Sequence, residues 1–254
     1  MYLTRFRVNT SRPGARRLLS SPQSLHAAVM ASFPGLLPTE PTTQRVLWRL
    51  DHNARAEVFL YVVSPDRPDL THLVEQAGWP AASLDPATPG WQSRPYAPFL
   101  QRLTPGRTWA FRLTANPVHH IRRKDGEPTK RTAHRTPVHQ MGWLLERQEN
   151  AGFRIVEKPE GKRLLPGGTT YQKDEHHGDR YQLTVRDPRS LSFAKSGEAD
   201  RKRHQVKVVT VTFDGHLEVT DPEVMRRTLI QGLGKAKAYG CGLMTLAPLP
   251  TTGG

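Results

Sequence analysis

Over the first hundred residues the hydrophobic period switches between two and about four, in the order strand, helix, strand, strand, helix, strand. Tyr2, Phe6 and Val8 fall on even positions, and Leu3, Arg5 and Arg7 on odd ones, the alternation of a half-buried strand. A basic, polar connection follows. Ser21-Pro22 then supplies an N-cap and a first helical residue. Leu25, Val29 and Phe33, with Ala28 beside them, make one apolar helical face, and Pro34-Gly35 ends it. Val46 to Leu50 and Glu57 to Val63 read as two strands joined around Asp51-His52-Asn53. A short helix from Asp69 to Ala77, closed by Gly78, and a strand over Tyr96 to Leu103 complete the series.

The order then repeats without detectable sequence identity. Thr108 to Thr114 alternates as a strand, and Pro137 to Asn150 reads as a helix with Met141, Leu144 and Leu145 inward. Phe153 to Val156 is a short strand, and Gln205 to Phe213 is the strongest strand signal in the chain. Asp221-Pro222 opens a helix carrying Met225, Leu229 and Leu233, and a strand follows over Leu243 to Ala247. Each series is the split βαβ, ferredoxin-like arrangement. The expectation is an α+β fold of two tandem ferredoxin-like (RRM-like, βαββαβ) domains, 1–104 and 105–254. Arg122 to Thr136, Lys158 to Asp179 and Ala194 to His204 are charged and poor in apolar residues, so they read as loops.

A chain of 254 residues can bury two small cores or one large one. Lysine and arginine number 37 against 23 acidic residues, a formal charge of +14 that points to a polyanionic partner. Nucleic acid leads. A membrane surface would want a basic amphipathic helix, and none fits well. No apolar run is long enough to cross a bilayer, and MYLTRFRV is too short and too basic for a signal peptide. Cys241 is the single cysteine, which excludes an intrachain disulfide and a cysteine-rich zinc site. A reducing, cytoplasmic location is the simplest expectation. The pairs His119-His120 and His176-His177, and His134 with His139, match no metal-ligand spacing, so no metal or other cofactor is expected.

Gly232, Gly234, Gly240 and Gly242, with Lys235 and Lys237 among them, follow the last helix in the segment QGLGKAKAYGCGL. Glycines let backbone N–H groups come close to a phosphate, and lysines supply charge. A glycine C-cap and turn explain one of these residues but not the whole cluster. The GxxxxGK[ST] phosphate loop is absent, and Gly232-Leu233-Gly234 closes a helix where a dinucleotide fingerprint would open one.

The segment QGLGKAKAYGCGLMTLAPL resembles the glycine-rich C-terminal loop of repeat-associated CRISPR proteins. With the opening MYLTRFRVNT, the FRLTANPVH segment from Phe111 to His119 and the GWLLERQENAGF helix from Gly142 to Phe153, it is most similar to the CasE family of CRISPR precursor-RNA endoribonucleases, of the subtype I-E (Cascade) system. That resemblance implies the tandem ferredoxin-like fold and a metal-independent endoribonuclease. It also implies a CRISPR repeat RNA hairpin as substrate and the other subunits of the subtype I-E surveillance complex as partners.

By composition alone a helical histidine is an ordinary side chain. In CasE relatives a histidine of the first helix is implicated in cleavage, and His26 is the one histidine there. Family members often place a tyrosine one turn earlier. Here Gln23 stands at that position and cannot act as acid or base, so it is at most accessory. Candidate RNA contacts are Arg122, Arg123, Lys130 and Arg131, then Lys158, Lys162 and Arg163, and in the glycine loop Gly232, Gly234, Lys235 and Lys237. A non-catalytic RNA-binding subunit of a CRISPR ribonucleoprotein explains charge, fold and loop equally well but gives His26 no task.

Overall fold

The computed structural model describes residues 1–33, 45–53, 57–79, 90–121, 129–165, 177–194 and 205–249. Its contacts divide the chain into two units. The first is Met1–Arg102 with Ile230–Gly232 and Ala236–Leu243; the second is Leu103–Leu229 with Leu233–Lys235 and Met244–Gly254. Most of the glycine-rich segment, placed with the second domain on sequence grounds, therefore groups with the first unit.

In the first unit the elements are β1 (Tyr2–Val8), α1 (Pro13–Leu19), α2 (Pro22–Met30), β2 (Leu47–His52), β3 (Val58–Ser64), α3 (Thr71–Ala77), β4 (Trp91–Pro95) and α4 (Ala97–Leu100). The sheet runs β2-β3-β1-β4, antiparallel throughout, the ferredoxin-like order. Phe6 pairs with Leu60, and Leu60 with Leu50. Phe6, Val8, Trp48, Leu60 and Val62 share a core with Leu25 and Val29 of α2 and Leu73 and Val74 of α3. The even-numbered face of β1 is thus the buried one, as its alternation requires.

Two expectations change here. The basic connection after β1 contains α1, which hides from a periodicity reading because Ala15 is its one fully buried side chain. The strand expected over Tyr96 to Leu103 is instead α4, and the fourth strand lies just before it. Pro98 holds φ near the helical value and lacks the N–H a ladder needs. The Tyr96 N–H donates to Met1 O at 3.0 Å, where the chain leaves the sheet. β4 itself is an edge strand with no buried side chain, so it carries no apolar signal.

The second unit repeats the plan with β5 (Thr108–Ala115), β6 (Val118–Ile121), β7 (Lys130–Ala133), α5 (Pro137–Leu145), β8 (Phe153–Ile155), α6 (His177–Arg180), β9 (Leu183–Ala194), β10 (Gln205–Val219), α7 (Pro222–Gln231) and β11 (Met244–Ala247). Its sheet runs β11-β5-β10-β8, again the ferredoxin-like order. β10 is long enough to pair with β5 on one edge and, on the other, with β9 and then β8. β9 was not legible as a strand because Asp187-Pro188 interrupts it. There Asp187 takes φ 51°, and the register slips between Thr210 and Thr212, a bulge where proline is tolerated. Part of the expected loop from Arg122 to Thr136 is β7, paired with β6 as a separate hairpin. Residues 166–176 and 195–204 of the other two loops lie outside the described residues.

The helix α5 stops at Leu145, and a 3₁₀ turn over Glu149–Ala151 leads to Gly152. Trp143 and Leu144 fill the core from α5, whereas Met141 and Leu145 are only half-buried. Asp221 caps α7, accepting from the N–H groups of Glu223 (2.9 Å) and Val224 (3.0 Å). Gly152 has φ 79°, and a Cβ there would lie 2.5 Å from both Asp221 O and Met225 N. Gly152→Val therefore combines left-handed strain with a clash against the start of α7. Its expected cost is roughly 2–5 kcal/mol in urea unfolding.

Candidate functional site

The Ser21 hydroxyl accepts from the Ser24 N–H at 3.2 Å, and Pro22 occupies the first turn, so α2 begins where the sequence places it. Leu25 and Val29 face the core. His26 follows Leu25 and sits half-buried on the flank of that stripe. Gln23 lies one turn earlier on the same helix, also half-buried. Behind His26 stands Trp48 of β2, 2% exposed. Its indole N–H donates to His26 Nδ1 at 3.3 Å. Burial lowers the pKa of the His26 imidazole below its ordinary value, which favours the neutral ring.

β2 is the edge strand of its sheet, and the glycine-rich segment lies against it and against α2. Gly232 (φ 76°), Gly240 (φ 79°) and Gly242 (φ 91°) take left-handed conformations, as does Ala236 (φ 61°) before the 3₁₀ turn Lys237–Tyr239. A Cβ on Gly240 would stand 2.7 Å from Trp48 Cζ3, and one on Gly232 would stand 2.9 Å from Leu47 Cδ2. In the second unit, a Cβ on Gly234 (φ 85°) would meet the Trp143 ring at 3.0 Å. Handedness and close packing therefore account for these glycines. Gly240, Cys241, Gly242 and Leu243 are buried, and burial pushes the Cys241 thiol up to about 12. The accessible part of the segment is its earlier stretch, where Lys235 is exposed and Lys237 half-buried.

Arg49, on the other face of β2, is 1% exposed. It binds Asp51 in two-pronged fashion (Nε to Oδ1 2.6 Å, Nη2 to Oδ2 2.9 Å) and donates from Nη1 to Leu243 O at 2.9 Å. Its guanidinium also lies over the Tyr61 ring, 5.6 Å from the centroid. Besides Gly232 on Leu47, the loop is thus seated on the same strand by Gly240 on Trp48 and Leu243 on Arg49. Sequence reasoning singled out neither partner. The available signal was an arginine within the apolar run VLWRL, with an acid two residues on, hence on the same strand face.

Of the expected site residues, His26, Gln23, Gly232 and Lys237 fall in the first unit. Gly234, Lys235, Lys130, Arg131, Lys158, Lys162 and Arg163 fall in the second. Lys130 and Arg131 are exposed on β7, and Lys162 is exposed in the turn Glu160–Lys162. Lys158 and Arg163 are partly committed to the protein. Lys158 Nζ donates to Gly178 O at 2.7 Å, while Arg163 binds Glu157 (2.9 Å) and Lys158 O (3.0 Å). Arg122 and Arg123 lie outside the described residues. Among the described residues no group of three or more His, Cys, Asp or Glu is arranged to hold a metal ion.

The family model described as CRISPR associated protein matches residues 1–248. The chain belongs to this CRISPR-associated family. Its similarity to the CRISPR-associated endoribonuclease Cse3 of Thermus thermophilus is 32% identity over 249 residues, 98% of this chain and 100% of that protein. The CRISPR system Cascade subunit CasE of Escherichia coli shares 46% identity over 43 residues, 17% of this chain and 22% of that one. Together these bear out the CasE resemblance. Among solved structures, the CRISPR endoribonuclease Cse3 bound to 19 nt RNA superposes with a TM-score of 0.72. Its identity is 27%, and the match covers 98% of this chain and 100% of that one. No described helix of this CRISPR-associated chain is long and apolar enough to cross a membrane.

Within this family member the Arg49 clamp has a measurable weight. Arg49→Ala removes the two-pronged partner of the Asp51 carboxylate, whose side chain is 10% exposed, and the donor to Leu243 O. Loss of one partner of a buried ion pair costs about 3–5 kcal/mol, so thermal unfolding should show a large drop in Tm. Amide exchange across 236–243 should accelerate more than that of β1 and β3.

Proposed function

We propose that this CRISPR-associated chain is a metal-independent endoribonuclease that binds the stem-loop of CRISPR precursor RNA and cleaves it at the 3′ base of the stem. The 2′-OH attacks the adjacent phosphate, the 5′-oxygen leaves, and the products are a 2′,3′-cyclic phosphate and a mature guide RNA. RNA carries its own nucleophile in this chemistry. The protein's tasks are to align the attack, handle protons and stabilise charge on the phosphorus centre. We assign the proton task to His26, as general base or general acid. The observation that carries the reading is the placement of a half-buried, neutral imidazole on α2 against the same strand that seats the glycine-rich loop. A subunit that merely held RNA would leave that imidazole without a task.

The basic residues Lys130, Arg131, Lys162, Lys235 and Lys237 are the described candidates for the RNA backbone, joined by Arg122 and Arg123 and, with fewer spare donors, Lys158 and Arg163. Gly232 and Gly234 serve that contact by shaping the loop that presents the lysines. An A-form stem offers a shallow minor groove and phosphates, so shape and charge set recognition. We place the protein in the cytoplasm, retained on its product hairpin among the other subunits of a subtype I-E surveillance complex. The relative named Cascade subunit CasE and the RNA-bound Cse3 support that assignment.

Three outcomes are expected on a CRISPR repeat hairpin in EDTA. Wild-type protein cleaves, and its RNA affinity falls steeply with salt. His26→Ala keeps its affinity and loses about 10²- to 10⁴-fold in single-turnover rate. RNA with a 2′-deoxy residue just 5′ of the cut binds and survives. Cleavage of the 2′-deoxy RNA, or full activity without His26, would sink the mechanism.

A further inference from the structure

The pairing of Trp48 with His26 has a chemical consequence for the site. An indole nitrogen only donates, so the 3.3 Å contact between Trp48 Nε1 and His26 Nδ1 is a bond in which Nδ1 accepts. A neutral imidazole that accepts at Nδ1 carries its proton on Nε2. We propose that Trp48 is a positioning residue that holds His26 as its Nε2–H tautomer, so that the ring offers the RNA a hydrogen-bond donor at Nε2 and not a base.

Three features make the arrangement firm. Trp48 is buried in the core of the first unit between sheet and helices, so its N–H has little freedom to turn to water. The ring face is pinned by Gly240, whose missing Cβ is what allows the contact. Adding a proton at Nδ1 would bring two N–H groups into opposition, and burial already disfavours the charged ring. The loop, the indole and the imidazole form one mechanical chain. A loop moved off Trp48 frees the indole, and a freed indole releases the tautomer.

The donor at Nε2 can bond an oxygen of the scissile phosphate or the departing 5′-oxygen. It cannot take the proton of the 2′-OH. This sharpens the nuclease reading, on which it rests, by taking the general-base task from His26 and leaving the neutral ring a hydrogen bond that stabilises charge on the phosphate or on the departing oxygen.

The test uses full-length, ¹⁵N-labelled protein and Trp48→Phe, which keeps an aromatic ring and removes the donor. In the wild type, imidazole ¹⁵N shifts should report the Nε2–H tautomer. A coupling across the hydrogen bond should link Trp48 Nε1 to His26 Nδ1. Trp48→Phe should lose the tautomer preference, keep its hairpin affinity and cleave about tenfold more slowly in a single turnover. An Nδ1–H tautomer in the wild type, or the same tautomer populations in both proteins, overturns the proposal. So does a faster or unchanged rate in the variant. The wild-type spectrum decides the matter even if Trp48→Phe folds poorly. A wild type that fails to cut RNA while showing the coupling would instead remove the nuclease reading and leave the tautomer assignment standing.

Discussion

Everything in the candidate site hangs on one close approach: a glycine backbone lying on the face of a buried indole at the edge of a sheet. An edge strand presents unpaired backbone groups and must be covered or made unattractive. Here β2 is covered by a segment distant in sequence, whose Gly240 and Gly232, both left-handed, come closer to Trp48 and Leu47 than a Cβ would allow. The cover in turn fixes Trp48, and Trp48 fixes His26. One packing requirement therefore protects a sheet edge and orders a titratable side chain.

Much of the architecture could be read from the sequence because burial imposes a period on it. β1, α2, β3, β5 and α7 each bury one face, so their apolar residues recur at two or at about four. The misreadings share a physical cause. α1 buries one side chain, β4 buries none, and β9 is broken by Asp187-Pro188, so none writes a period into the chain. Tyr96 is buried, yet Pro98 turns its segment into a helix. The tandem ferredoxin-like order survived these errors because it depends on the sequence of elements more than on their boundaries.

For the site, sequence could name the histidine and the glycines but not what they touch. His26 came from resemblance, since spacing alone gives an isolated histidine no partner. The glycines came from clustering, and the cause inferred for them was phosphate contact. The structure gives them a prior task, because handedness and packing on β2 already require them. What that packing leaves accessible is the stretch bearing Lys235, exposed, and Lys237, half-buried. The contacts of Trp48 with His26 and of Arg49 with Leu243 were hidden because the partners lie 22 residues apart in one case and 194 in the other. No local pattern reports contacts at such separations.

The distance between Arg49 and Leu243 along the chain also sets an order of events during synthesis. When Arg49 joins the growing chain, Leu243 is still 194 residues from being made. At bacterial or eukaryotic elongation rates that is a wait of roughly 10–40 s. Throughout it, the first sheet can form while its edge strand stays bare and the Trp48 ring lacks its glycine lid. The segment that completes the site is translated long after the strand it covers, so a nascent chain would hold His26 without the loop that steadies it.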